Sequence, residues 1–335
     1  MALNFNQILK NVNCFFVFVT NFMQITVNVI YTLSLIIYYL IESIVITFVP
    51  NRFKMKDVSD ETVLITGGGN GIGRQLAIKF ARRGCKVIIW DVDTNGLAVT
   101  CKLIHQFQGK CWSFECDIRD RKQVYSTADR VREQVGSVTL LVNNAGVADK
   151  KLFLDKDDES IVKTMEINVH AHFWTCKAFL PEMMANNRGH IVSIASLAGY
   201  AGIIGLTDYC ASKFAVVGFT ESLRMELIAR NYDGIKVTEI SPYFLNTKMF
   251  AGVKSKVFPI LKCDTVCERI LFAILCNKTV TYIPFIFQPL LTLKSIIPVD
   301  SIYHAYKLLG VSDAVIEVKK NGEILNSNGP KNKIN

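Results

Sequence analysis

Thr66-Gly67-Gly68-Gly69-Asn70-Gly71-Ile72-Gly73 decides the reading of this chain. It joins a short apolar run, Thr62 to Thr66, to a stretch from Gly71 to Arg83 whose apolar residues Ile72, Leu76 and Phe80 fall on one helical stripe. A second apolar run follows at Lys86 to Trp90, so the whole reads as strand, helix, strand. Glycines at 67 and 71 would permit a tight turn and let backbone N–H groups approach a pyrophosphate at the helix N-terminus; Gly73 would let helix and sheet pack closely. Asn70 and Ile72 complete this cradle. A glycine-rich turn alone is a weak signal, and its place between a strand and a helix is what gives it weight.

Outward from that unit, further strands are expected at Lys110 to Glu115, Val138 to Asn143, His190 to Ile194 and Ile235 to Ile240, separated by helix-length amphipathic stretches. Apolar strands alternating with helices give an α/β fold: a single Rossmann-type, doubly wound parallel sheet with helices on both faces. Asp91 ends the second strand, 18 residues beyond Gly73. A carboxylate there accepts both ribose hydroxyls and repels a 2′-phosphate, which favours NAD over NADP. Arg74, Arg82 and Arg83 stand nearby and keep NADP open as the lesser reading.

The chain has 335 residues, half of them hydrophobic and 20% charged, which excludes disorder for most of its length. From Asn11 to Ile41 no residue is charged, a run longer than the roughly 20 residues a spanning helix needs and longer than a signal peptide's core. Tyr31, Tyr38 and Tyr39 suit a membrane interface. We therefore expect a membrane anchor over 1–56, a dinucleotide-binding domain over 57–325 with an apolar, lipid-facing stretch near 280–299, and a disordered tail over 326–335. The net charge is +9, with Arg52, Lys54 and Lys56 directly after the anchor and Lys319, Lys320, Lys331 and Lys333 in the tail. That placement points to a membrane surface and away from nucleic acid, and by the positive-inside rule it puts the domain on the cytosolic side. None of the ten cysteines forms a CxxC pair, so we expect free, mostly buried thiols and no metal site.

Tyr209-Cys210-Ala211-Ser212-Lys213 opens a later helix; positions i and i+4 share a face, so the Lys213 ammonium can sit near the Tyr209 phenol and favour its ionised form. Together with Thr66 to Gly73, Asp117-Ile118, Asn143-Asn144-Ala145-Gly146, Asn168 and Ser196, all in order, this makes the chain resemble the short-chain dehydrogenase/reductase family across roughly residues 57 to 300. The resemblance implies a role for each. Tyr209 is the general acid/base, Ser196 the hydrogen-bond partner of the reacting oxygen, and these two contact substrate; Lys213 tunes the tyrosine and holds the nicotinamide ribose, and Asn168 anchors a water-linked proton path. It further implies that Asp117 and Ile118 meet the adenine and that Asn144, Ala145, Gly146, Pro242 and Thr247 line the cofactor.

One departure stands out. Where the family carries Pro-Gly, this chain has Pro242-Tyr243-Phe244-Leu245-Asn246-Thr247, a bulky apolar wall suited to an apolar substrate. The anchor, Trp90-Asp91, Ala178 to Pro181 and Asp208 to Phe214 look most like the branch of epidermal retinol dehydrogenases and membrane-bound 17β-hydroxysteroid dehydrogenases. That likeness implies a retinol, steroid or similar lipophilic alcohol as substrate, an endoplasmic reticulum or lipid-droplet membrane, and a homodimer through helices around 160–186 and 207–230. Two other readings stay open: an NADPH-dependent lipid ketone reductase, and a catalytically idle scaffold on a lipid surface.

Overall fold

The computed structural model describes residues 5–50, 53–253, 255, 257–308 and 315. Arg52, Lys319, Lys320, Lys331, Lys333 and the tail from Asn326 lie outside the described residues. The chain divides into two units, Met1–Met55 and Lys56–Asn335. The first is essentially one helix, α1 (Phe5–Phe48). Its stretch Leu9–Glu42 has a mean hydropathy of 1.6 and is long and apolar enough to cross a membrane.

The second unit alternates strand and helix: β1 (Thr62–Thr66), α2 (Gly71–Ala81), β2 (Lys86–Asp91), α3 (Thr94–His105), β3 (Lys110–Glu115), α4 (Arg121–Gln134) and β4 (Leu140–Asn143). Then come α5 (Asp158–Met165), a π-helical turn Glu166–His170, α6 (Ala171–Ala185), β5 (Gly189–Ile194), α7 (Thr207–Ala229), β6 (Ile235–Pro242), α8 (Cys263–Leu275), β7 (Val280–Ile283), α9 (Phe287–Lys294) and α10 (Val299–Leu308). The strands form one sheet in the order β3-β2-β1-β4-β5-β6-β7, and each neighbouring pair is parallel.

Every residue of β1, β4 and β5 is buried, because helices cover both faces of a parallel sheet. Side chains alternate across the pleat. Val63, Ile65, Val87 and Ile89 enter one apolar cluster with Leu76 and Phe80 of α2 and Ile270 and Ile274 of α8. Leu64, Ile88 and Trp90 enter the other, with Val124 of α4 and Phe179 of α6. Each fully buried aliphatic side chain contributes roughly 1.5–3 kcal/mol. β1 leads outward to β2 and β3, and the chain then returns to lay β4 on the other side of β1. The connections from β1 and β4 therefore leave in opposite senses at neighbouring strand ends, which opens a crevice there.

The region near 280–299 holds more structure than its composition suggested. Val280–Ile283 is a seventh strand, paired with β6, and Phe287–Lys294 is a helix. Pro284 and Pro289 lie outside the strand and in the first turn of the helix, where proline is tolerated. Lys56 also departs from expectation. Its Nζ lies 3.1 Å from His190 Nδ1, and burial holds its ammonium below the ordinary value, so this side chain packs partly against the domain.

Candidate active site

The crevice is a cleft of about 730 Å³. The glycine turn forms one end. Gly67 and Gly71 have φ of +68° and +52°, a region an L side chain rarely adopts. A Cβ on Gly73 would run into the carbonyl oxygen of Gly67, so this glycine serves close packing behind the cleft and does not line it. Asn70 caps α2 without a side-chain hydrogen bond, and the first N–H groups of that helix remain donors for an anion. A Cβ on Gly71 would meet nothing within 4 Å. These features fit a dinucleotide pyrophosphate.

Asp91 lines the cleft beside the turn. Its Oδ2 accepts from Gly69 N at 2.8 Å and its Oδ1 from Asp93 N at 3.1 Å. Each oxygen keeps a lone pair for a further donor. Arg74 is already engaged: its Nε donates to Thr100 Oγ1 at 3.0 Å and its Nη2 to Gly69 O. Asp117 and Ile118 line the same end. Arg119 pairs with the Asp117 carboxylate and holds it below the usual carboxylate range.

The two strand ends are stitched together by one hydroxyl. Thr66 Oγ1 accepts from Asn144 N at 3.0 Å and Ala145 N at 3.1 Å. Asn144 Nδ2 returns to Thr66 O at 2.9 Å. Asn144, Ala145 and Gly146 thereby become a wall of the cleft.

Ser196, Tyr209 and Lys213 also line the cleft, as do Pro242 and Thr247; the Ser196 hydroxyl lies 3.5 Å from Pro242 O. The first two turns of α7 place Tyr209 and Lys213 on one face, with Lys213 Nζ 5.7 Å from the phenol ring centroid. Lys213 is 3% exposed; its Nζ donates to Ile194 O at 2.8 Å, and burial pushes its ammonium down to about 8. Tyr209 is 5% exposed. Burial pushes its phenol above the ordinary value, against a smaller downward pull from the Ser196 hydroxyl. Desolvation penalises the charged forms of both groups.

Asn168 does not line the cleft. It sits in the π-helical turn, fully buried, where its Oδ1 accepts from Val147 N at 2.8 Å and its Nδ2 donates to Val147 O at 2.9 Å and Ser212 Oγ at 2.9 Å. It fastens the loop after β4 to α7. A second fastening, which the sequence did not suggest, is the buried ion pair Lys156–Asp208, at 2.8 Å, immediately before Tyr209.

Around Tyr209 the surroundings are aromatic. Phe250 lies edge-on to it at 5.8 Å and to Phe244 at 5.3 Å, and Phe287 of α9 stacks on Tyr243 at 4.9 Å. Tyr243, Phe244 and Leu245 are all buried. Phenol, hydroxyl and ammonium converging in such a setting can orient one alcohol or carbonyl oxygen and exchange a proton with it.

A family model described as short chain dehydrogenase matches residues 61–257. Epidermal retinol dehydrogenase 2 of Homo sapiens is 40% identical over 291 residues, covering 85% of this chain and 94% of the relative. Retinol dehydrogenase 10-B of Xenopus laevis is 39% identical over 314 residues, covering 84% and 92%. Estradiol 17-beta-dehydrogenase 11 of Mus musculus is 41% identical over 276 residues, covering 82% and 92%. Among solved structures, a short-chain dehydrogenase/reductase from Burkholderia phymatum in complex with NAD has a TM-score of 0.67 at 24% identity, covering 75% of this chain and 97% of that one. A metagenomic short-chain oxidoreductase in complex with NADP has a TM-score of 0.58 at 25% identity, covering 67% and 97%. The chain belongs to the short-chain dehydrogenase/reductase family, nicotinamide-dependent oxidoreductases acting on CH–OH groups.

Proposed function

We propose that this protein is a membrane-anchored, NAD-dependent dehydrogenase of lipophilic alcohols, retinol or a hydroxysteroid being the favoured class. The observation that carries the reading is the placement of Tyr209, Ser196 and Lys213 in an aromatic end of the cleft whose other end holds the glycine turn and Asp91. Relatives at about 40% identity are named for retinol and estradiol, and the apolar shell of Tyr243, Phe244 and Phe250 suits such molecules.

In this reading the N-terminus of α2 would hold the pyrophosphate, Asp117 and Ile118 the adenine, and Asp91 would accept from the ribose hydroxyls. Arg74 already has partners in Gly69 and Thr100, which supports NAD over NADP. The bound nicotinamide supplies the hydride acceptor or donor. Ser196 and Tyr209 hold the substrate oxygen, and Tyr209 takes its proton in alcohol oxidation or gives one in carbonyl reduction. Lys213 places a positive charge beside the tyrosine and the ribose. Asn168, held by the π turn, anchors the path that returns the proton to water.

The apolar helix of the first unit is the anchor. Phe285, Ile296 and Val299 are 69%, 77% and 80% exposed, a pattern that suits contact with lipid near the substrate's own medium. The endoplasmic reticulum or lipid droplet, with the domain toward the cytosol, is the location this reading gives. Exposed Val162, Met225 and Ile228 on α5 and α7 suit a homodimer through those helices. The test is to incubate microsomes carrying the full chain with NAD or NADP and a panel of retinoids, steroids and fatty alcohols. NAD-linked oxidation of a retinoid or steroid is expected; turnover only of small polar alcohols, or only with NADP, would reject the reading.

A further inference from the structure

Cys101 and Cys111 play no part in the cleft. Cys101 lies in the second half of α3 and Cys111 near the start of β3, the edge strand of the sheet. Their Sγ atoms are 2.9 Å apart, closer than unbonded sulfurs usually stand and about 1 Å beyond a covalent S–S bond. Both residues are partly exposed, whereas Cys85, Cys116, Cys176, Cys210 and Cys267 are buried. Small oxidants can therefore reach this pair.

The two thiols are also inequivalent. Either thiol can donate in this contact; the pairing with Cys111, together with Ser113, holds the Cys101 thiol below its ordinary range, while the same pairing and burial drive Cys111 up. One sulfur is thus the better nucleophile, while its neighbour keeps its proton.

The pair adjoins the dinucleotide turn. Thr100, next to Cys101, is fully buried. Its Oγ1 lies within donating reach of Gly68 O at 3.0 Å and Gly96 O at 2.9 Å, and accepts from Arg74 Nε at 3.0 Å. This hydroxyl thus links α3 to the backbone of the glycine turn.

We propose that Cys101 and Cys111 are an oxidisable pair that reacts with hydroperoxides, closes to a disulfide and thereby loosens the glycine turn. Cys101 thiolate attacks one oxygen of ROOH; the O–O bond breaks, the sulfur becomes a sulfenic acid and ROH departs. Cys111 sulfur then attacks that sulfur, forming the S–S bond and releasing the oxygen as water. The two thiols together lose two electrons and two protons, and the peroxide is reduced by the same two electrons.

The experiment uses the full chain in detergent, reduced and then exposed to hydrogen peroxide, with free thiols trapped before non-reducing peptide mapping. NAD affinity is titrated in parallel; that readout rests on the nicotinamide reading above, and the mapping does not. The expected result is a Cys101–Cys111 crosslink, a several-fold rise in the NAD Kd and recovery with dithiothreitol. C101S and C111S are expected to bind NAD as the reduced wild type does and to ignore peroxide. Absence of that crosslink, a crosslink with unchanged Kd, or serine variants that respond like wild type would each overturn the proposal. Reduced wild-type protein that fails to bind NAD would overturn the cofactor reading instead, leaving the mapping to judge the thiol chemistry.

Discussion

Replacing Lys213 with methionine should make the folded protein more stable at neutral pH while removing its activity. The ammonium is 3% exposed, and burial lowers it from the ordinary 10.5 to about 8. That drop corresponds to roughly 3 kcal/mol of folding free energy opposed by the charge, at about 1.4 kcal/mol for each tenfold change in proton affinity. Methionine has similar volume and no charge, but it loses the hydrogen bond to Ile194 O at 2.8 Å, worth roughly 1–2 kcal/mol. The net gain is therefore about 1–2 kcal/mol, or roughly 2–4 °C in Tm for a domain of this size.

The sign depends on pH. Below about 8 folded and unfolded chains both carry the proton, and wild type bears the full penalty. Between that value and the ordinary 10.5 the unfolded chain keeps a proton the folded one has released, so wild-type stability rises with pH relative to the variant. The advantage of K213M should thus be largest at pH 7, gone by roughly pH 9 and reversed by roughly pH 10. Thermal unfolding of both proteins in detergent at these pH values is the assay. A variant less stable than wild type at pH 7, or an advantage that does not shrink with pH, would refute the reasoning.

Three further expectations follow from the same geometry. D91N keeps an acceptor for Gly69 N but relieves a repulsion of up to roughly 4 kcal/mol toward a 2′-phosphate about 4 Å away, so NADP should gain at least about tenfold on NAD in kcat/KM; an unchanged ratio would exclude Asp91 from cofactor choice. T66V removes the acceptor shared by Asn144 N and Ala145 N and should cost roughly 2–4 kcal/mol by leaving two amides unpaired, read as a lower Tm and weaker NAD binding. Because burial holds the Tyr209 phenol above its ordinary value, the acid form prevails at neutral pH. Carbonyl reduction should therefore be nearly flat around neutrality while alcohol oxidation climbs up to about tenfold per pH unit; pH–rate profiles in both directions check this.

Much of the sheet was legible: Thr62 to Thr66, a short run buried throughout, and Lys110 to Glu115, a largely exposed edge strand, match the observed elements residue for residue. The seventh strand was hidden: Val280–Ile283 is only four residues, followed at once by Pro284, and only its pairing with β6 identifies it. Tyr209 and Lys213 were legible from the family resemblance of the ordered motifs, since their helical spacing alone is common by chance. The contact of Lys56 with His190, 134 residues away, was not legible, since no local pattern joins them. The Lys156–Asp208 pair and the thiols of Cys101 and Cys111 were out of reach for the same reason, since each needs a tertiary contact that no local pattern encodes.

The most direct test of the central claim is turnover by full-length Y209F in microsomes with NAD and all-trans-retinol, alongside NAD titration of the same protein. Removing only the phenolic oxygen should reduce kcat by roughly 10²–10⁴ while the NAD Kd stays within about twofold of wild type. Retention of wild-type turnover with the phenol gone would contradict the assignment of proton transfer to Tyr209.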